Sequence, residues 1–207
     1  MIKFPASDTA DKDGFLAWSL EISPDYLISA YREGIFPCPV DEESVLWFSP
    51  PERAILFFDD VKVHRRTQRS FRHRKFSLRV NHCFDDIIRN CSEVPRKNQP
   101  GTWITPKLKQ AYSDFHRMGY AMSFEAWTPD GRLAGGMYGV KVGRYFSGES
   151  MFHFEPDASK FALLSAVEYL KGEGVTWLDA QVASPLLLEM GAVNIPRERF
   201  LDRKSVV

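Results

Sequence analysis

Two acids and one amide are the residues best placed to do chemistry. Glu149 and Asp179 each interrupt an otherwise apolar, strand-like stretch, Gly148-Glu149-Ser150-Met151-Phe152 and Leu178-Asp179-Ala180-Gln181. A carboxylate there costs free energy unless it has a partner or a task. Along a strand, Asp179 and Gln181 project to the same face, so acid and amide can act on one group. Glycines crowd the same region, in Gly135-Gly136-Met137-Tyr138-Gly139 and at Gly148. Glycine inside a strand marks a bulge or the close approach of another backbone or a ligand. Packing rules are thus broken repeatedly between Arg132 and Gln181, which is where function is expected. The plain alternative is a glycine-rich meander with two edge acids.

A second chemical signal is electrostatic. His64–Lys75 carries Arg65, Arg66, Arg69, Arg72, Arg74 and Lys75 without one acid. The whole chain is neutral, with 27 basic and 27 acidic residues, so a local run of one sign is the footprint of a polyanion. A solvated helix face is the competing explanation, but such faces usually mix signs.

The elements that must position these residues follow from caps and periodicity. Ser23-Pro24-Asp25 and Thr105-Pro106 each read as N-cap and N1 proline, and Gly34 and Gly119 are the matching stops. Tyr26, Leu27, Ala30 and Tyr31 give the first helix an apolar face; Leu108, Ala111, Tyr112 and Phe115 do so for the other. Phe84, Ile87, Ile88 and Cys91 have helical spacing. Residues 1–14 read as polar and loosely ordered. Strands are expected at Ala54–Phe58, Phe76–Val80, Met122–Trp127, Arg132–Val140, Arg144–Phe152 and Val175–Val182. Hairpin turns fall at Thr128-Pro129-Asp130-Gly131 and Lys141-Val142-Gly143. A helix starting at Asp157 or Ala158 runs to Lys171, and Ser184-Pro185 caps a last one ending at Met190. Phe36-Pro37-Cys38-Pro39 cannot continue a helix.

This order predicts an α+β protein, an antiparallel-rich mixed sheet flanked by helices. It divides into a small N-terminal domain, 1–52, and a main domain, 53–207. The main domain resembles the Gcn5-related acetyltransferase (GNAT-like) architecture at the level of fold, which does not fix a reaction. The coenzyme-A loop of that fold is missing: Arg132-Leu133-Ala134-Gly135-Gly136-Met137 comes close but ends in Met and lies in a strand. Cys38, Cys83 and Cys91 lack paired spacing, which argues against a zinc site and for a reducing compartment. Neither a signal peptide nor a membrane span is legible, and a cytoplasmic location is expected.

The motifs together resemble the bacterial leucyl/phenylalanyl-tRNA–protein transferase family. The matching residues are Ala30–Pro37, Leu46-Trp47-Phe48-Ser49-Pro50, Gly101–Thr105, Gly135–Val140, Gly148–Phe152, Ala158-Ser159-Lys160, Asp179-x-Gln181, Met190-Gly191-Ala192 and Ile195-Pro196-Arg197. They stand in the family's order. The resemblance implies transfer of leucine or phenylalanine from aminoacyl-tRNA to a protein beginning with Arg or Lys, which marks that protein for degradation. An aminoacyl ester is already activated, so no metal, nucleotide or other cofactor is needed. Position, proton removal and oxyanion stabilisation suffice.

By the same resemblance Asp179 orients Gln181, and the pair engages the attacking amine. Met137, Met151, Leu163 and Leu178, with Glu149 near the base, form the aminoacyl pocket. Tyr31, Trp103 and Tyr112 surround the terminal adenosine, and the basic run binds tRNA. The protein is expected to act as a monomer, away from membranes. The chain departs from the family at Cys38, where a Trp is usual, so an adenosine contact is lost or supplied by Trp47. Ser184 and Leu186 replace an Asn and a His, which bears on the peptide side. Two other readings stay open: a different tRNA-dependent or small-acceptor N-acyltransferase, and a catalytically weak RNA-binding module.

Overall fold

The computed structural model describes residues 2–41, 43–63, 65, 68, 71, 75–95 and 102–205. The expected helices form: α1 is Pro24–Arg32, α2 Phe84–Glu93 and α3 Pro106–Arg117, with α1 and α3 opening on proline. Thr105 caps α3 through its side chain, which accepts from Leu108 N. The long helix α4 spans Ala158–Gly172, and α5 spans Pro185–Glu189, capped by Ser184. A last helix, α6, covers Arg197–Ser205 and has no counterpart in the sequence reading.

Among the described residues the strands form two sheets. The smaller has the order β1(Phe15–Ser19)-β3(Val45–Phe48)-β2(Phe36–Pro39). Phe36–Pro39 does not continue the helix, as expected, and forms a strand. Its prolines sit on an edge strand, the position in a sheet that tolerates them. The start of the chain is not loose either. Phe4 packs edge-on against Trp47, at 4.8 Å between ring centroids, and Ser7 Oγ donates to Glu33 O at 2.6 Å.

The larger sheet has seven strands, ordered β10(Val193–Pro196)-β4(Glu52–Phe57)-β9(Trp177–Asp179)-β8(Tyr145–His153)-β7(Leu133–Val142)-β6(Ala121–Trp127)-β5(Ser77–Val80). Its pairs are antiparallel except β8–β9, which α4 bridges. The expected α+β sheet with flanking helices is present. Helix α4 covers one face, burying Ala162, Leu163, Ala166 and Leu170 with Met137, Phe146 and Leu178. On the other face α1, α2 and α3 bury Leu27, Tyr31, Ile87 and Tyr112 with Trp47, Tyr138 and Phe152.

Two irregularities shape the centre. The parallel pair is short: Tyr145, Phe146 and Ser147 match Trp177, Leu178 and Asp179, and beyond this register the strands part. In β8 a bulge sets Tyr138 opposite Ser150 and Gly139 opposite Gly148, so Glu149 is the extra residue. A bulge flips the alternation of side chains. Phe146 and Met151, five residues apart, consequently pack in the same core layer. Only glycine fits at 139: a Cβ there would lie 2.2 Å from Ser147 O and 2.4 Å from the Phe146 ring.

Candidate functional site

The wedge where β8 and β9 part opens into a cavity of about 780 Å³. Its β8 side presents Gly148–His153; the other side presents Ala180, Gln181, Val182, Ser184 and α5. Met137, Glu149, Met151, Leu163 and Leu178 all line it. The five residues expected in an aminoacyl pocket are therefore brought together. Gly148 keeps the entrance to the wedge narrow, since a Cβ there would meet Leu178 Cδ1 at 3.3 Å.

Gln181 also lines the cavity, but not by strand alternation. β9 ends at Asp179, and Gln181 lies in left-handed backbone with φ of 56°. The expected strand to Val182 is cut short, and the shared-face argument for Asp179 and Gln181 fails with it. Asp179 instead holds the turn from below: its Oδ1 accepts from Gln181 N at 2.9 Å. Asp179 is 1 % exposed and does not reach the cavity.

The partner that buried Asp179 requires is Arg53, the second residue of β4. Its Nε donates to Oδ1 at 3.2 Å, its Nη2 donates to Oδ2, and its Nη1 donates to Gly34 O at 2.6 Å. Phe36 and Phe200 flank the guanidinium, with centroids at 5.0 and 4.2 Å. Arg53 was not identified from sequence. A charge at the head of an apolar strand signals that a partner exists, but not which one, 126 residues away.

Gln181 Nε2 donates to Ser147 Oγ at 2.9 Å and to Glu149 Oε1 at 3.0 Å. Ser147 Oγ donates in turn to Glu149 Oε1 at 2.8 Å, and Tyr112 OH to Glu149 Oε2 at 3.2 Å. Tyr31 OH bonds to Tyr112 OH behind it. Burial pushes the Glu149 carboxyl up to about 7, against the pull of hydrogen bonds from Ser147, Tyr31 and Tyr112. Burial, then the charge of Glu149, raises both tyrosine hydroxyls well above their ordinary range. With Nε2 committed, the free end of the Gln181 carboxamide is Oε1, an acceptor suited to an amine N–H.

The positions expected around adenosine are not gathered in this cavity. Tyr31 and Tyr112 are 2 % and 0 % exposed, so neither offers a ring face for stacking; both serve Glu149 from inside the core. Cys38 is half-buried in β2 opposite Leu46, and burial raises its thiol. Trp103 is half-buried against the core beneath α3. Trp47 cannot stand in for a stacking residue, being 0 % exposed with Nε1 donating to Ser19 Oγ. In the basic run, Arg65 is exposed. Exposed Lys75 lies 3.4 Å from Glu155 and over the Phe76 ring. Arg66, Arg69, Arg72 and Arg74 lie outside the described residues.

Comparison with known proteins matches this framework. Residues 55–205 match the family model described as leucyl/phenylalanyl-tRNA protein transferase, and residues 21–51 match the model of its N-terminal domain. A leucyl/phenylalanyl-tRNA–protein transferase of Maridesulfovibrio salexigens is 43% identical over 199 residues, 96% of this chain and 83% of that one. The protein of the same name from Idiomarina loihiensis is 42% identical over 207 residues, 99% of this chain and 87% of the other. Among solved structures, FemX superposes with a TM-score of 0.56 at 10% identity, over 83% of this chain and 66% of that one, a likeness of fold. The ordered motifs and the extent of these matches agree: the chain belongs to the leucyl/phenylalanyl-tRNA protein transferase family.

Proposed function

We propose that this chain, a cytoplasmic monomer, transfers leucine or phenylalanine from aminoacyl-tRNA to the N-terminal Arg or Lys of proteins destined for degradation. The observation that carries the reading is the position of Gln181. A left-handed turn pinned by Asp179 sets its carboxamide in the wall of an apolar cavity, next to Glu149. The Leu or Phe side chain occupies the space between Met137, Met151, Leu163 and Leu178, where unbranched Met adapts to either shape. The acceptor amine donates to Gln181 Oε1, which aims its lone pair at the ester carbon. The C–N bond forms and the ester C–O bond breaks. The amine gives up a proton, and the leaving ribose hydroxyl takes one.

Glu149 is the group suited to that proton traffic, since a carboxyl near 7 exchanges protons readily at neutral pH. Asp179 is a positioning residue, acting through the backbone of Gln181. Arg65, Arg66, Arg69, Arg72, Arg74 and Lys75 supply phosphate contacts, and Cys38 and Trp103 belong to the adenosine side. The separate three-stranded sheet supports a functional division at 52/53, with residues 1–52 serving as a docking unit fused to the main core.

The test is incubation with leucyl-tRNA and peptides beginning with Arg, Lys, Asp or Glu, without ATP or coenzyme A, followed by mass analysis. A leucine mass gain on the Arg and Lys peptides is expected. Gain only on Asp or Glu peptides redirects the acceptor assignment. In a parallel incubation with acetyl-coenzyme A in place of leucyl-tRNA, acetyl transfer defeats the reading.

A further inference from the structure

The cavity wall carries two glutamates, and they differ in how they are engaged. Both oxygens of Glu149 accept hydrogen bonds, Oε1 from Ser147 and Gln181 and Oε2 from Tyr112. Glu189, the last residue of α5, is exposed, lines the same cavity, and has no hydrogen-bond or ion-pair partner among the described residues. The wall leading to it is apolar, because Leu186 and Leu187 of the same helix also line the cavity. The cationic side chain in the lining, Lys160, stands on α4.

We propose that Glu189 receives the cationic head of the acceptor's first side chain and so selects Arg and Lys. This rests on the acceptor class proposed above and assigns a residue to it. The α-amine must lie at Gln181. In chain order, Ser184, Leu186 and Leu187 stand between Gln181 and Glu189 in the lining. Helix α5 rises about 6 Å from its first residue to its last, a span on the scale of a long basic side chain. Arg and Lys have apolar stems and charged heads. Leucines beneath the stem and a carboxylate at the solvent rim match that division. Lys160, on another wall, repels the same head and so favours one orientation over its reverse.

The experiment compares a peptide beginning with Arg against the same peptide beginning with citrulline, its neutral isostere. Leucyl-tRNA is the donor, and both the unmodified enzyme and Glu189→Gln are measured. The unmodified enzyme should have a KM for the Arg peptide about fivefold below that for citrulline, the scale of an ion pair at a solvated rim. In Glu189→Gln the two KM values should converge, with kcat and the KM for leucyl-tRNA unchanged. Glu189→Lys should make citrulline the better acceptor. Persistence of the Arg preference in Glu189→Gln overturns the assignment while leaving the transferase reading intact. Failure of the unmodified enzyme on every Arg and Lys peptide overturns the acceptor class itself, without recourse to any variant. Glu189 is exposed, so equal melting temperatures are expected for all three proteins.

Discussion

Glu125 and Glu149 lie on the two strands that flank β7, each an acid in an apolar stretch, and they have opposite fates. Glu125 is 0 % exposed, and its donors are fixed. The backbone amides of His82 and Cys83 reach Oε1 at 2.9 and 2.8 Å, Ser123 Oγ reaches it at 2.9 Å, and Trp127 Nε1 reaches Oε2 at 3.0 Å. It ties the turn before α2 to β6 and does not line the cavity beside Glu149. Burial and the neighbouring Glu125 push the Cys83 thiol up to about 12, so that thiol stays protonated. Glu149 accepts only from side chains, drawn from β8, α3 and the turn after β9, and one side of it opens to the cavity. A buried acid held by backbone amides is structural. One held by side chains at a cavity wall can exchange its proton and its partners.

Replacing each acid tests that distinction, and the largest effect should come from Glu125. Glu125→Ala leaves four donors without their acceptor, Ser123 Oγ buried and the others partly so, at up to about 1–3 kcal/mol each before relaxation. We expect a loss of roughly 4 kcal/mol or more in urea unfolding, with kcat per folded molecule unchanged. Normal stability with lost activity would reverse the roles of the two acids.

Asp179 and Gln181 separate structure from chemistry within the site. Asp179→Asn strips Arg53 of its counter-charge, and breaking a buried pair typically costs about 3–5 kcal/mol. Gln181→Ala should instead lower the transfer rate by about 10², the scale of a misplaced reacting group, with a melting point close to that of the unmodified protein. Equal destabilisation of both variants would mean that the amide, too, is a structural tie.

For Glu149 the expected signature is pH dependence. Its folded-state carboxyl is raised from 4.5 to about 7, so the folded protein binds the proton more tightly than the unfolded chain. Stability from this group is present below pH 4.5 and is lost as pH rises towards 7. Unfolding measured at pH 5 and pH 8 should therefore show Glu149→Gln gaining on the unmodified protein at the higher pH. Transfer should rise through pH 7 in the unmodified enzyme and stay low and flat in the variant. The smallest effect should come from Cys38→Trp, remote from both acids. If this position meets adenosine, leucyl-tRNA binding tightens by about 1 kcal/mol. Unchanged binding with a lower melting point identifies Cys38 as packing.

Local order was legible where a short-range rule applied. Ser23-Pro24, Thr105-Pro106 and Ser184-Pro185 start helices where cap chemistry puts them. Glycine in strands foretold the close approach at Gly139 and the bulge beside Gly148. What escaped depends on register between distant strands. Arg53 meets Asp179 because β4 pairs with β9, Ile55 opposite Asp179, and no pattern within either segment encodes that. Tyr31 and Tyr112 were placed by motif, but whether a tyrosine shows its ring or its hydroxyl is decided by the helices packed around it. β1 and β10, both short, carry too little periodicity to stand out from a single sequence.

The extra residue in β8 gives that strand something like a reading frame. Before Glu149 the frame sends Phe146 to the α4 side; after it, Met151 goes there and Phe152 faces the other way. Substitutions in this strand alter single letters, and the core can absorb many of them. Deleting Glu149 would remove the extra residue and leave the pairs on either side, Gly139 with Gly148 and Tyr138 with Ser150, in register. Met151 would stay on the α4 side and Phe152 on the other, so the core frame is kept while the site loses its carboxylate. Ironing the bulge flat with every residue retained would instead turn each later side chain over, sending Met151 out of the α4-side core and Phe152 into it. The strand thus carries its acid outside its packing frame, and a deletion of Glu149 should cost transfer more than stability.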